Sequence, residues 1–394
     1  MLTQPDLADR VDILRTTLEA YPLSTARGSD ADRRFTELVN RLGIDRVFAY
    51  LRGRGIAHAA LAAYSGHAQV SDADGLFGVF SRVSQVVSAL HRRELARIAQ
   101  AFHDDELPLI AFKGVAMCAA LGRGDAPSYS NDLDILVAGR DLARARRTMH
   151  RLGYGGELRI RDGRARPMAS RILEATENSV YSFGQLSPLD RLTPIPELEK
   201  LGTRVLTAFP ALFCYADGQL HMKLSVDLHY SLNHLSDDIG TRVKPSEEVW
   251  LEEAETVRIE GVEVATLGPR ALSWVLPHRL YVDTTLLRDT SLKALCHLKL
   301  LWHHGRFDSE YVRDIAQRYP YLAPSLYYAL RAMDQLCGTR ALPQLDPERM
   351  RASRALLMNV GDCLPAMLGC GVEVTLGASG CGRTDESGVT TRLV

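Results

Sequence analysis

The chain has 394 residues, too many for one small core and enough for two or three compact units, because single hydrophobic cores stop growing near ~250–300 residues. Its residues are 46% hydrophobic and 24% charged, ordinary globular usage that excludes a disordered or fibrous chain. A formal net charge of −1 argues against a long polynucleotide partner, since dedicated nucleic-acid binders commonly carry a strongly basic domain.

The first ten residues, MLTQPDLADR, lack the basic start and apolar run of a secretory signal. The most apolar stretch, Leu107 to Leu121, is interrupted by Lys113 and is shorter than the ~20 residues that span a bilayer. The expectation is a cytoplasmic protein without a membrane segment. Seven cysteines are scattered with no CxxC pair, so neither a structural zinc site nor a disulfide framework is indicated. Only six of the 47 basic residues are lysines, at 113, 200, 223, 244, 293 and 299, which makes a lysine inside a motif more informative.

Residues 1–105 read as an N-terminal helical domain. Helices are expected over Val11–Ala20, Asp32–Leu42 and Leu76–His103, the last with Val83, Val86, Val87 and Leu90 at three and four spacings. The pattern changes at Leu107. LPLIAF (107–112) is a short apolar strand ended by Lys113-Gly114, and VAMCAAL (115–121) is an apolar helix ended by Gly122. After a polar loop, DLDILV (132–137) is a second strand, and Arg140 to Leu152 a basic amphipathic helix closed at Gly153-Tyr154. Residues 155–210 hold five of the seventeen prolines without a clear period and read as an irregular insertion. A strand pair is expected at about Arg204–Tyr215 and Gln219–Tyr230, joined by the hairpin signal Ala216-Asp217-Gly218. From Gly268 the chain returns to helices, with Leu292, Leu295, Leu298 and Leu301 in one stripe; residues 236–370 are expected to be a mainly helical C-terminal domain, and 371–394 a disordered Gly/Ser/Thr-rich tail. The order strand, helix, loop, strand, helix within 106–235 belongs to a compact α/β core, so the expected class is α+β.

Asp132 and Asp134 flank Leu133 on a strand, so the two-residue period turns both carboxylates to one face. Two anions side by side repel, and a hard divalent cation resolves the repulsion: Mg2+, or Mn2+ in its place, bound by a few carboxylates and keeping other positions for water and phosphates. A third carboxylate on a neighbouring strand permits a second metal and an in-line phosphoryl displacement. An isolated DxD is a weak signal, commonly no more than a polar strand edge; the glycine turn, helix and polar loop ahead of it make the pattern specific.

The run FKGVAMCAALGRGDAPSYSNDLDILV, the helix ending in LGYGG and the distant SVDLHYSL resemble a family of uncharacterised bacterial nucleotidyltransferases within the DNA polymerase beta-like superfamily. The similarity covers about residues 85–310. It implies a minimal nucleotidyltransferase core with a small mixed sheet between helical flanks, a nucleoside triphosphate partner, and transfer of a nucleoside monophosphate to a hydroxyl or similar group of a small molecule, peptide or protein. By the same resemblance Asp132 and Asp134 bind metal and Asp227 completes the catalytic metal site. Lys113, Gly114, Arg123 and Ser130 are the nucleotide-binding candidates; Gly114 lets the backbone approach the triphosphate. The family's arginine just before the acidic pair is missing, because Pro127-Ser128-Tyr129-Ser130 occupies that place, and Arg123 is the candidate to stand in. His229 and Lys223 share the Asp227 face of their strand and are read as supporting residues. His303-His304 is discounted as a metal pair, since adjacent helical residues diverge by ~100°. Two alternatives stand beside this reading: a DxD glycosyltransferase using a nucleotide sugar, and a non-catalytic nucleotide-binding scaffold. Turnover of a triphosphate against a nucleotide sugar separates them.

Overall fold

The structure, a computed structural model, describes residues 5–21, 30–64, 75–124, 130–169, 188–230, 253–286, 291–342, 345 and 362–370. The tail 371–394 and the loop residues 125–129 lie outside it, as does the middle of the segment read as an insertion.

The N-terminal region is helical as expected, in five helices: α1 (Leu7–Ala20), α2 (Asp30–Leu42), α3 (Ile44–Gly53), α4 (Ala57–Tyr64) and the long α5 (Leu76–Asp104). Asp6 caps α1 by accepting from the Asp9 amide at 2.8 Å, satisfying one of the orphan donors of the first turn. Helices α3 and α4 were not foreseen; α3 is amphipathic and was passed over, whereas AHAALAAY in α4 is nearly uniform in polarity, so no stripe stands out.

Beyond α5 the chain builds a five-stranded sheet. Strand β1 (Ile110–Ala111) pairs antiparallel with β2 (Asp132–Leu136), and β2 runs parallel to β7 (Gln219–His229). The other edge of β7 carries β5 (Leu189–Pro194), and β6 (Phe213–Ala216) pairs with the start of β7 through a turn at Asp217 (φ 51) and Gly218 (φ 77), as the Asp-Gly signal indicated. Helices α6 (Gly114–Ala120) and α7 (Leu142–Arg151) follow β1 and β2.

Three expectations are corrected here. The strand foreseen at 107–112 shrinks to two paired residues, because β1 meets β2 only opposite Ile135 and Leu136 before Lys113 turns the chain into α6. Residues Thr203–Ala208 form a helix, α8, instead of the start of a strand. The segment 155–210 is not irregular where it is described: it supplies the ribbon β3 (Leu158–Arg161) and β4 (Arg164–Pro167), and β5 is a full member of the central sheet. Its alternation was hidden because β5 buries both of its first two residues, Leu189 and Asp190.

In the C-terminal region the sequence reading missed a hairpin, β8 (Ala254–Ile259) and β9 (Val262–Leu267), turned by Glu260 (φ 49) and Gly261 (φ 83). It packs on β1, α5 and α6. Then come α9 (Pro269–Tyr281), one π-helical stretch at Val282–Leu286, α10 (Lys293–His303), α11 (Ser309–Arg318), α12 (Ala323–Cys337) and α13 (Leu364–Met367). Leu292, Leu295, Leu298 and Leu301 are all fully buried, as their stripe requires.

The two helical ends of the chain meet. Arg15 donates to the Leu336 carbonyl at 3.0 Å and Arg10 to that of Leu368 at 3.2 Å. Closer to the sheet, the Leu292 amide donates to the Arg54 carbonyl at 2.8 Å, which fastens the α3–α4 loop to the start of α10. Among the described residues no helix is long and apolar enough to cross a membrane.

Candidate active site

The parallel pairing of β2 and β7 sets the site. Asp134 lies opposite Asp227 in register, Asp132 opposite Ser225, and Leu136 opposite His229. Laterally paired residues share a face of the sheet, so Asp132, Asp134, Asp227 and His229 belong to one face. Asp134, Asp227 and His229 are buried, and one potential ligand atom from each lies within 4.8 Å of the others. Asp132 stands outside this trio at the mouth of the site, where its Oδ1 accepts from Ser130 Oγ at 2.8 Å. The face therefore joins three carboxylates, as foreseen, and adds a histidine that the sequence reading treated only as a support.

Asp134 Oδ1 is shared by two groups. Lys113 Nζ forms an ion pair with it, and His229 Nε2 lies 3.0 Å away. Burial pushes the Asp134 carboxyl up, but the Lys113 ammonium and the His229 hydrogen bond outweigh it and hold the group well below the ordinary carboxylate range. Burial lowers His229 to about 4 against the pull of Asp134, so at neutral pH the ring is uncharged and its Nε2–H donates to the carboxylate. Asp227 moves the other way: burial first, then the Asp132 and Asp134 charges, raise it well above its usual value. Hard oxygen donors gathered on one buried face, with a single ammonium as counter-charge, fit a divalent cation such as Mg2+ by the chemistry of the donor set.

A cavity of about 380 Å³ opens over this face. Lys113, Gly114, Ser130, Asp132 and Asp134 line one wall. The rest of the wall comes from elements far away in sequence: Arg52 and Gly55 at the end of α3, Arg279 and Asp283 around the α9 π-turn, and Lys293 at the start of α10. Arg279 and Lys293 thus bring cationic side chains to the cavity lining, whereas the Arg52 guanidinium donates to the Ala208 carbonyl and lies 5.6 Å over the Phe209 ring. Arg279 pairs with Asp283 at 3.1 Å. His58 and His297 also line this wall, buried and lowered to about 3 and about 4, chiefly by desolvation.

Of the sequence candidates, Lys113, Gly114, Ser130, Asp132 and Asp134 are brought to the cavity, and Asp227 and His229 lie on the same sheet face, buried behind its lining. Gly114 has φ 56, and an added Cβ would meet Ser130 Cβ only at 3.7 Å, so the backbone conformation needs glycine there more than any clearance does. Arg123 is placed elsewhere: it donates to the Tyr21 carbonyl at 2.6 Å and lies over the Tyr21 ring. Lys223 points to the far end of the face, 3.5 Å from Asp190 and 3.2 Å from the Leu158 carbonyl. Arg52, Arg279 and Lys293 were missed. Their only sequence signal was the scarcity of lysine around Lys293, because tertiary packing alone brings them to the cavity.

A family model described as an uncharacterised nucleotidyltransferase matches residues 38–338. The chain belongs to this family. The match takes in the acidic pair, Asp227 and every cavity residue named above, and it favours nucleotidyl transfer over the nucleotide-sugar alternative. Among solved structures, an antigenic nucleotidyltransferase-like protein from Paracoccidioides brasiliensis is similar at 11% identity and a TM-score of 0.25, over 60% of this chain and 91% of that one; likeness at that level carries no argument about the site. No curated protein matches. Membership of this family supports a nucleotidyl-transfer role and implies a nucleoside triphosphate substrate.

Proposed function

We propose that this protein moves a nucleoside monophosphate from a nucleoside triphosphate to a hydroxyl or similar group of a small molecule, peptide or protein, with release of pyrophosphate, using Mg2+ or Mn2+ held by Asp132, Asp134 and Asp227. The observation that carries the reading is the in-register pair Asp134–Asp227 beneath a cavity whose lining includes Lys113, Arg279 and Lys293. The bound ion supplies charge neutralisation at the transferring phosphoryl group and polarises the attacking oxygen.

The protein's own residues divide the remaining work. Arg279 and Lys293 line the cavity together with the carboxylates and take the β- and γ-phosphates, whose charge is displaced as pyrophosphate. Ser130 fixes the Asp132 carboxylate, and His229 holds Asp134 through Nε2. Lys113, paired with Asp134 in this structure, is free to turn toward a phosphate once a metal ion replaces it as counter-charge. The cysteines among the described residues are free thiols, in keeping with our placing the protein in the cytoplasm.

Thermal melting and mass spectrometry test the reading together. A triphosphate with Mg2+ should raise the melting temperature more than either alone, since ligands that bind only the native state stabilise it by mass action. Mass spectrometry of candidate acceptors should then show the added nucleotide. Absence of any shift with millimolar ribo- or deoxynucleotides overturns the proposal; a shift with no transfer to any acceptor supports the non-catalytic scaffold instead.

A further inference from the structure

Formal charge is close to balanced over the chain, yet it is not spread evenly. Between residues 140 and 166 there are nine arginines against three carboxylates. Four of those arginines sit on the β3–β4 ribbon. The antiparallel register places Arg159 opposite Arg166 and Arg161 opposite Arg164, so two cross-strand pairs of like charge occupy one face. All four side chains are exposed, while Leu158, Ile160 and Ala165 on the alternate face are half-buried.

Like charges directly opposite across a ladder are destabilising. Keeping a strand edge from aggregating does not require them, because one charge of either sign per strand does that. Two facing pairs therefore point to an anion with several charges at regular spacing. Along each strand the arginines repeat every ~6.7 Å, two residues of strand rise. Arg161 leans on Asp162 at 3.7 Å, the acidic residue of the turn, and that contact is itself highly exposed.

A second feature lies beside the ribbon. Tyr215 on β6 is 41% exposed, one of two large apolar side chains so exposed among the described residues. Its amide donates to the Gly163 carbonyl in the β3–β4 turn at 2.9 Å, which holds its backbone beside the turn flanked by Arg161 and Arg164. An exposed aromatic residue on the strand next to a ribbon of exposed arginines suits a ligand that alternates phosphates with flat rings. The ribbon is rooted close to the candidate active site: the Leu158 amide donates to Asp190 Oδ2 at 2.5 Å, and Asp190 pairs with Ser225, two residues before Asp227.

We propose that the β3–β4 ribbon, with Tyr215, is a docking surface for a single-stranded polynucleotide. The arginines take its phosphodiester backbone and the tyrosine stacks on a base. This goes beyond the transfer reaction and revises the expectation drawn from net charge, since a local excess of arginine, not the sum over the chain, meets the ligand.

The test uses the full-length protein, freed of co-purified nucleic acid at high salt, with no triphosphate present, so that its outcome is independent of transferase activity. Fluorescence anisotropy with labelled 20-nucleotide oligo(U) and oligo(dT) should show binding that weakens steeply with salt. Replacing all four arginines by glutamine should weaken it at least tenfold and flatten the log–log salt slope by about 3, at ~0.7 per neutralised phosphate. Arg161→Gln with Arg164→Gln, both at the exposed tip, should flatten it by about half as much and serves if the fourfold variant misfolds. Tyr215→Ala should cost about tenfold with the slope unchanged. Tighter oligo(U) or tighter oligo(dT) binding identifies RNA or DNA as the source, and equal binding places recognition in backbone and stacking; each supports the proposal. Unchanged affinity in the double variant overturns it, as does equal binding of inorganic polyphosphate with no effect of Tyr215→Ala. Preference for vesicles containing anionic phospholipid over either oligonucleotide overturns it in favour of a membrane surface.

Discussion

Asp134 and Asp227 are neighbours in space with opposite electrostatic histories, and the difference lies in which groups each one meets. Lys113 and His229 both reach Asp134, whereas Asp227 meets the charges of Asp132 and Asp134 in a buried setting. Were the site to hold two ions, Asp132 and Asp134 would hold the one that neutralises the nucleotide's phosphates and Asp227 the one that polarises the attacking oxygen. Asp227→Asn should keep much of the thermal shift produced by Mg2+ and triphosphate yet lose transfer by orders of magnitude, while Asp132→Asn should lose both. Nucleotide titration and single-turnover transfer on the two variants measure this; normal transfer by Asp227→Asn would place the remaining ligand elsewhere. The acidic pair was legible because a two-residue period fixes the facing of residues on a strand. The partners of Asp134 were not, because Lys113 and His229 reach it through folding alone, across 21 and 95 residues of chain.

Among elements, the α3–α4 loop shows how backbone conformation and packing combine in the cavity wall. Gly55 has φ 65, and a Cβ there would meet Ser291 Oγ at 2.8 Å and Ser291 Cβ at 3.3 Å. Gly338, just past the end of α12, has φ 62 and ψ 23 and nothing within 4 Å of an added Cβ. Alanine at Gly338 should cost about 1 kcal/mol, the left-handed strain alone. At Gly55 the same strain adds to a clash that pushes the loop from α10, so melting should fall further, by ~2–4 °C for each additional kcal/mol. Calorimetry of Gly338→Ala, Gly55→Ala and Gly55→Ala with Ser291→Gly decides it: the double variant should recover only the steric part. Equal losses at the two glycines would mean the loop does not press on α10. Of the loop's helices, α4 was hard to read because its apolar residues run all round. The β8–β9 hairpin was passed over because its Glu-Gly turn is a weaker signal than the Asp-Gly that marked β6 and β7.

Over the whole molecule, buried histidines tie stability to pH. His58, His91 and His297 are held at about 3, 4 and 4, in each case mainly by burial, with the Lys293 charge adding to it. These are bases whose folded pKa is depressed, so between about pH 4 and 6.5 the unfolded chain binds more protons than the folded one. Their contribution is then intact above about pH 6.5 and is lost as the pH falls toward 4. Near pH 5, unfolding should take up about three protons from this group, a slope of about 4 kcal/mol per pH unit. His91 is the sharpest probe, since both of its ring nitrogens are buried without a hydrogen-bond partner. His91→Leu should remove about one proton from the uptake and stabilise the protein most at pH 5; denaturant melts at pH 5, 6 and 7 measure both effects, and an unchanged pH slope would show that His91 does not stay neutral in the fold.

The sequence by itself determined α1, α2 and α5 of the N-terminal helices, the strand–helix–strand order of the core, the acidic pair on one face and the Asp-Gly turn that delivers β7. Each depends on residues within a few positions of one another, where periodicity and turn chemistry are written locally. Only the tertiary structure decided that Asp227 lies in register with Asp134, that β5 joins the central sheet from a proline-rich segment, that Arg123 stays with Tyr21, and that Arg52, Arg279 and Lys293 close the cavity. Those outcomes depend on contacts between segments up to 240 residues apart in numbering, Arg52 and Lys293 among them, and no local pattern encodes which distant surfaces will bury one another.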